Sequence, residues 1–324
     1  MVLAFIDHDR GTSNLICLQM LTFGRQLAES LGVPLQAALI GRDAAGLRDE
    51  LHRYGVSRIC LAEHPLLEDY APEAWAKCME QLIKSLRPKV VLAAATERGN
   101  EVLAHVAALT GLPMAANCMQ VNPGPAFHVL RQRWGSSLLE EAELHGDPKL
   151  ATIAPHVIEA KEGKTCAEVP LETFSTTLEQ KDLRVRVTAR EETRSEGVDL
   201  RTAPVVVGGG RGVGSEEGFR ILEQLAGLLG GAVGGSRVVT NNGWRPHSDQ
   251  VGLTGNRIAP NLYIACGISG AIQHLVGCKG AKHVMVINKD SGAPFFRRAD
   301  YGVVGDLHEI LPALIDEIRK KRTS

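Results

Sequence analysis

Short, nearly uninterrupted apolar runs alternate with amphipathic stretches along most of this chain, and that alternation constrains its fold more than any other feature. Val2–Ile6 reads as a strand and 15–31 as a helix, where Met20, Leu21, Leu27, Ala28 and Leu31 recur on one face. Strand-like runs follow at Leu35–Ile40, Val56–Leu61 and Val90–Ala95, separated by helix-like stretches near 43–53, 72–86 and 98–110. A strand that is apolar at every position is buried on both faces. With helices between the strands to cover it, the pattern predicts a parallel sheet in an α/β domain.

After Leu112 the texture changes. Short β-like pieces occur near 126–133, 136–144 and 150–158, and Leu183–Ala189 alternates with the period of a half-buried strand. Residues 190–202 are charged and aperiodic, the best linker candidate. Alternation then resumes: strand at Pro204–Val207, helix at 215–229, strand at 262–266, helix at 269–277, strand at His283–Ile287. A last helix carries an Ile310, Leu311, Leu314, Ile315, Ile318 stripe, and Pro312 predicts a kink or a start near 311. Length favours about two domains for 324 residues, and the expected division is 1–195 and 203–324.

Composition narrows the function. A net charge of −1 argues against nucleic acid or an anionic membrane as principal partner, and 4% aromatics leave little for base stacking. Seven cysteines are scattered without a C-x-x-C, which fits small core residues in a reducing compartment. With strand character from Val2 and no apolar stretch approaching 18 residues, neither a signal peptide nor a membrane span is expected. The expected location is the cytoplasm, or the mitochondrial matrix for a form whose transit segment has been removed.

The chemistry-bearing motifs lie in the second half. Gly267-Ile-Ser-Gly-Ala-Ile-Gln-His274 follows a buried strand and opens a helix, a turn whose free amides and helix dipole suit an anionic group. Gly208-Gly-Gly-Arg-Gly-Val-Gly214 also joins strand to helix, but Val213 breaks the strict G-x-G-x-x-G spacing. It reads equally as an amide nest around a pyrophosphate with Arg211 adding charge, or as a turn needing positive φ. Arg237, beside Ser236, can lie on a conjugated ring or fork onto an oxygen pair; a surface charge is the commoner role. Gln250-Val-Gly-Leu-Thr-Gly255 brackets a hydroxyl with glycines, or is simply a β-turn. His247 and Asp249 are too weak to mark a metal pair. Asn288-Lys-Asp290 ends a strand, where open α/β sheets bind ligands. Asp306 occupies a similar place, with a helix N-cap the safer reading. Asp7-His8-Asp9-Arg10 ends the first strand, where it could touch a ligand or a partner chain, with a solvated loop the commoner reading, and Arg131-Gln-Arg-Trp134 is too short for a nucleic-acid patch. No nucleophile, general base or P-loop stands out, so neither catalytic nor metal-binding residues are assigned.

In this order the motifs resemble the alpha subunit of electron transfer flavoprotein. The resemblance is strong over about 204–312, through Gly210-Arg-Gly, Gly234-Gly-Ser-Arg, Gln250-Val-Gly-x-Thr-Gly, Gly267–His274, Ile287-Asn-Lys-Asp and Ala299-Asp-Tyr-Gly-Val-Val-Gly-Asp-Leu307. It is looser in the first half, through Asp9-Arg-Gly-Thr and Val102-Leu-Ala-His-Val-Ala-Ala-Leu. The resemblance implies an N-terminal nucleotide-binding-like parallel-sheet domain and a C-terminal Rossmann-like FAD-binding domain. Arg211, Ser236, Arg237, Gln250, Val251, Gly252, Leu253, Thr254, Gly255, Ser269, Gly270, Ala271, Ile272, Gln273, His274, Asn288, Asp290, Asp306 and Leu307 would line one FAD.

In family terms Arg237 lies over the isoalloxazine, Thr254 near N5 and His274 near O2, where the imidazole, if cationic, would favour the anionic flavin. Asn288, Asp306 and Leu307 face the adenosine end. The resemblance also implies a beta-subunit partner carrying AMP or a second FAD. Electrons would arrive from dehydrogenases of the acyl-CoA dehydrogenase type and leave to a quinone oxidoreductase or another acceptor. Where the family commonly has Gln-Thr-Gly-Lys, this chain has Leu253-Thr254-Gly255-Asn256. That departure bears on flavin potential and partner choice, not on FAD binding. The alternatives are a subunit of a bifurcating complex using NADH, an NAD(P)-dependent oxidoreductase opposed by the broken glycine fingerprint, and a nucleotide-sensing module opposed by the flavin motifs.

Overall fold

The structure, a computed structural model, describes residues 1–134, 136–163, 168–189 and 198–323. The chain divides into two compact units, Met1–Glu191 and Glu192–Ser324. Most of the expected linker, residues 190–197, lies outside the described residues; Arg201 and Thr202 form a turn.

The first unit runs β1 (Val2–Phe5), β2 (His8–Asp9), β3 (Thr12–Ser13), α1 (Leu15–Ser30), β4 (Leu35–Ile40), α2 (Arg48–Arg53), β5 (Ile59–Glu63), α3 (Pro72–Leu86), β6 (Val90–Ala94) and α4 (Glu97–Thr110). It continues through β7 (Met114–Asn122), β8 (Phe127–Arg133), β9 (Leu138–Leu144), β10 (Lys149–Ile153) and β11 (Leu171–Ser175). Its main sheet has the order β11-β5-β4-β1-β6-β10-β7-β8-β9. Pairing is parallel from β11 through to β7, and antiparallel along the β7-β8-β9 meander.

Period two explains why β1 is apolar throughout. Val2 and Ala4 pack in the cluster that contains α1 residues, while Leu3 and Phe5 pack in the one built by α3 and α4. Side chains fix two helix starts: Asn14 accepts from the Ile16 amide ahead of α1, and Thr96 from the Gly99 amide ahead of α4.

The strand expected over Leu183–Ala189 does not form. Gln180–Leu183 is a short 3-10 turn closed by a reciprocal Glu179–Asp182 capping box, and 184–189 joins no ladder. Alternation supplies an apolar face but does not by itself bring a segment onto a sheet edge; Leu183 is buried while Val185 is exposed. Two strands outside the expected set, β7 and β11, lack a long apolar run because their outward positions are polar.

The second unit runs β12 (Val205–Gly209), α5 (Phe219–Leu229), β13 (Ala232–Gly235), α6 (Arg237–Asn241), β14 (Leu262–Cys266), α7 (Ile272–Gly277), β15 (His283–Asn288), β16 (Tyr301–Val304) and α8 (Leu307–Thr323). All five strands are parallel, in the order β13-β12-β14-β15-β16. One face of the sheet packs Val206, Tyr263, Ala265 and Val286 against Phe295. The other packs Val207, Ile264 and Ile287 against Phe219, Leu222 and Leu225 of α5 and Leu311 and Ile315 of α8. The last helix begins at Leu307, earlier than the start near 311, with Pro312 inside it. Asp306 sets that start by accepting from the His308 amide at 2.9 Å, and Pro312 is tolerated on the exposed side. Among the described residues six free thiols are buried, and burial pushes those of Cys78, Cys118, Cys266 and Cys278 up to about 12.

The chain leaves β12 outward to β13, then returns past it to β14. The loops after β12 and β14 therefore meet at the switch point of the strand order. The Gly210 amide donates to the Cys266 carbonyl at 2.9 Å and the Gly212 amide to the Gly267 carbonyl at 3.1 Å. A Cβ at Gly210 would fall on the Gly267 carbonyl oxygen, and one at Gly212 would lie 2.7 Å from the Gly267 Cα. Gly210→Ala is expected to cost the second unit about 3 kcal/mol, because the clash is with backbone and cannot relax by a rotamer change. Urea unfolding followed by Trp244 fluorescence checks this; an unchanged midpoint contradicts the close contact.

Candidate functional site

Five parallel strands deliver their C-terminal loops to one sheet edge, the edge at which open α/β sheets bind ligands. Arg211 follows β12, Ser236 and Arg237 follow β13, and Ser269 to His274 follow β14. Asn288 and Asp290 end β15, and Asp306 and Leu307 follow β16. The 250–256 loop is tied to the same edge by hydrogen bonds from the Val251 amide to the Gly235 carbonyl (2.8 Å) and from the Leu253 amide to the Gln273 carbonyl (2.7 Å). Motifs up to 97 residues apart thus share one edge.

The glycine stretch 208–214 is not an open amide nest. The amides of Gly210, Gly212, Val213 and Gly214 all donate to carbonyls within the unit. Gly208 and Gly209 make room for the Tyr263 hydroxyl and the Phe219 ring. The glycines are there to bring backbone and aromatic groups close together. Arg211 and Arg237 are exposed, and among the described residues neither side chain has an ion-pair or hydrogen-bond partner.

Within the 250–256 loop a buried relay sets the direction of one hydroxyl. Thr240 donates to Gln250 Oε1, and Gln250 Nε2 donates to Thr254 Oγ1, each at 2.9 Å. Thr254 accepts from its own loop, so its proton is left to donate outward from an exposed position. Asn256, which stands where the family carries a cation, closes the loop. Its side chain donates to the Ser248 carbonyl (2.5 Å) and the Gln250 carbonyl (3.2 Å) and accepts from Arg201 (3.1 Å). Val251 is buried, whereas Leu253 and Ile272 are exposed apolar groups on this edge.

Gly267 and Gly270 adopt φ of 62° and 87°, as a sharp strand-to-helix turn demands. The helix starts at Ile272, two residues later than Gly270, and is six residues long. Its N-terminal dipole is correspondingly small, and Gly270 belongs to the turn. Ser269, Ala271, Ile272 and Gln273 are exposed, but His274 is buried. A cationic His274, which the sequence left open, is not observed: burial lowers its pKa to about 4, the Val251 backbone opposing only in part, so the ring is neutral near pH 7. His274 Nε2 lies 2.8 Å from the Tyr263 hydroxyl, and Nδ1 is buried without a hydrogen-bond partner.

At the far end of the sheet, Asn288 Nδ2 donates to the Ile268 carbonyl at 3.0 Å and Asp290 closes a turn by accepting from the Gly292 amide. Lys289 pairs with Asp306 at 2.7 Å, which, with the cap, holds the Asp306 carboxyl below its ordinary value.

In the first unit, Asp7 and His8 are buried, contrary to the solvated loop expected. Asp7 accepts from Thr96 (2.8 Å) and its pKa is raised by burial, while Thr96 and Arg98 pull it down. The Gly11 amide donates to His8 Nδ1 at 3.2 Å, so Nε2 carries the proton toward the Ile40 carbonyl at 2.8 Å. The sequence signal for this cluster was its position at the end of β1; what was missing was Thr96 and Arg98, 89 and 91 residues from Asp7. No helix among the described residues is long and apolar enough to cross a membrane.

The fold defines a two-unit α/β protein whose second unit gathers its motif loops at one open sheet edge. Residues 2–179 match the electron transfer flavoprotein domain and residues 199–279 match the electron transfer flavoprotein FAD-binding domain. Electron transfer flavoprotein subunit alpha of Thermoanaerobacterium thermosaccharolyticum is 34% identical over 319 residues, covering 98% of this chain and 97% of that protein. Protein FixB of Clostridium saccharobutylicum is 35% identical over 324 residues, covering 98% and 96%. The Megasphaera elsdenii alpha subunit is 34% identical over 313 residues, covering 95% and 93%. The chain belongs to the electron transfer flavoprotein alpha subunit family.

A His kept neutral by burial makes stability depend on pH in a defined direction. Between pH 6.5 and about 4 the unfolded chain takes up a proton that folded His274 refuses, so stability falls as pH falls through that window. The loss attributable to His274 is about 3 kcal/mol. In urea unfolding at pH 7 and pH 4.5, His274→Gln is expected to lose less stability than the parent; equal losses contradict a neutral buried ring.

Proposed function

We propose that this chain is the FAD-carrying subunit of a heterodimeric electron transfer flavoprotein. It accepts electrons from dehydrogenases of the acyl-CoA dehydrogenase type and passes them to a quinone oxidoreductase or another acceptor. Its beta-subunit partner carries AMP or a second FAD. The observation that carries this reading is the convergence of Arg211, Arg237, Thr254 and the unpartnered Nδ1 of His274 at one sheet edge. Those groups match a large anionic cofactor with a polar conjugated ring. Two unpaired guanidiniums suit phosphate or ring oxygens, an outward hydroxyl suits a ring nitrogen, and a buried polar nitrogen left unpaired costs about 1–3 kcal/mol until a ligand pairs it.

FAD, when bound, supplies the one- and two-electron chemistry. The chain's residues bind, orient and tune. Arg237 provides positive charge over the ring. Thr254, held as a donor by the Gln250–Thr240 relay, offers its proton to the N5 side and so favours that nitrogen without a proton of its own. His274 offers a neutral dipole at the O2 side. Asn288, Asp306 and Leu307 serve the adenosine end, and the apolar Leu253 and Ile272 keep water off the ring edge. Asn256 supplies no positive charge, so Arg237 is the chief cationic influence on the ring in this reading.

The test is a visible spectrum of the chain co-purified with its beta subunit. Flavin absorbance that bleaches reversibly on reduction by an acyl-CoA dehydrogenase supports the carrier. A colourless preparation that binds NAD sinks it, and two flavins per heterodimer move the reading to a bifurcating complex starting from NADH. Arg237→Ala is expected to weaken FAD binding about tenfold, the loss of one charge-assisted contact of about 1.4 kcal/mol, measured by flavin fluorescence on dilution.

A further inference from the structure

Behind His274 stands a second buried polar group, the hydroxyl of Tyr263, which has no role in the edge described above. Tyr263 lies near the centre of β14 and is fully buried. Its hydroxyl is seated by Gly208 on the neighbouring strand, where any Cβ would strike it. Burial pushes its pKa far above that of an ordinary phenol, so the hydroxyl keeps its proton. Among the described residues its one hydrogen-bond partner is His274 Nε2, at 2.8 Å. The imidazole is enclosed on its other sides by Phe295, ring centroids 5.9 Å apart and nearly edge-on, and by the Val251 backbone.

Two proton placements are open to this pair, and they leave different groups unsatisfied. With the imidazole proton on Nε2, that N–H donates to the tyrosine oxygen. The tyrosine proton then has no acceptor and the Nδ1 lone pair has no donor, so two buried groups are orphaned. With the proton on Nδ1, tyrosine donates to Nε2, and the Nδ1 N–H, which makes no full hydrogen bond, meets the Val251 backbone that favours a proton there. Each orphan costs about 1–3 kcal/mol, so the second arrangement wins. We infer that Tyr263 is a positioning residue, which through its hydroxyl fixes His274 as the Nδ1–H tautomer and turns its one free polar atom into a donor.

The inference rests on reading the second unit as the flavin domain for its functional meaning. An Nδ1–H donor favours electron density on a ligand acceptor. The opposite tautomer would present a lone pair and repel it. Tyr263 therefore sets the sign of the contribution that His274 makes.

The experiment uses the full-length chain with its beta subunit and flavin, labelled with 15N-histidine. The His274→Gln spectrum identifies the His274 signals among the eleven histidines. At neutral pH, Nδ1 is expected in the protonated, pyrrole-like shift range and Nε2 in the pyridine-like range, displaced by its hydrogen bond. A protonated Nε2, or an imidazolium, overturns the inference. In Tyr263→Phe the two shifts are expected to converge as the tautomers mix, and the midpoint potential of the bound flavin to fall. Shifts and potential both unchanged overturn the positioning role. If Tyr263→Phe does not fold, the parental spectrum still decides. The failure of the flavin reading is separate: a protein without flavin sinks that reading, while the tautomer stays measurable.

Discussion

Two backbone hydrogen bonds between the loop after β12 and the loop after β14 hold the second unit's functional edge in place. They run from Gly210 and Gly212 to the carbonyls of Cys266 and Gly267, with no side chain between. Because backbone touches backbone, the spacing of these loops cannot be adjusted by rotamers. Arg211 is carried on one loop and the turn into α7 on the other, so the contact fixes their separation. The same economy of space recurs one layer down, where Gly208 admits the Tyr263 hydroxyl. The glycines that look in sequence like a phosphate cradle are instead what lets the strands and loops close up.

The electrostatics of the edge follow from burial. A neutral His274, a six-residue helix and a hydroxyl aimed by a relay are dipoles, while the full charges on the same edge include the exposed Arg211, Arg237 and Asp290 and the Lys289–Asp306 pair. Dipoles held in place keep their value across the range in which a surface histidine would gain or lose its charge. Arginine does the same, since its charge does not titrate there. The edge is built from groups that do not respond to ordinary changes of pH.

Much of this was legible in the sequence, for stated reasons. Strands buried on both faces, such as β1 and β14, announce themselves as apolar runs, and the stripe Leu311–Ile315 gives the packed face of α8. The sheet-edge motifs were legible because strand ends were. What the sequence hid were states decided by distant partners. Leu183–Ala189 alternates correctly but joins no ladder. Asp7 and His8 look solvated until Thr96 and Arg98 arrive from the end of the neighbouring β6. The charge of His274 stays open until Tyr263 and Phe295 enclose it. The glycine stretch 208–214 stayed open between a nest and a turn for the same reason, because spacing does not say which atom fills the room a missing Cβ leaves.

The buried cysteines have a consequence of their own for a protein that handles electrons. A thiol reacts with oxidants as its thiolate, and thiols pushed to about 12 hold almost none of that form at neutral pH. Cys266 is the nearest test, since it ends the strand from which the turn into α7 departs. An oxidant reaching this sheet edge would meet a sulfur that is both enclosed and protonated. These thiols add packing to the fold without offering a ready site for sulfenic acid or a mixed disulfide.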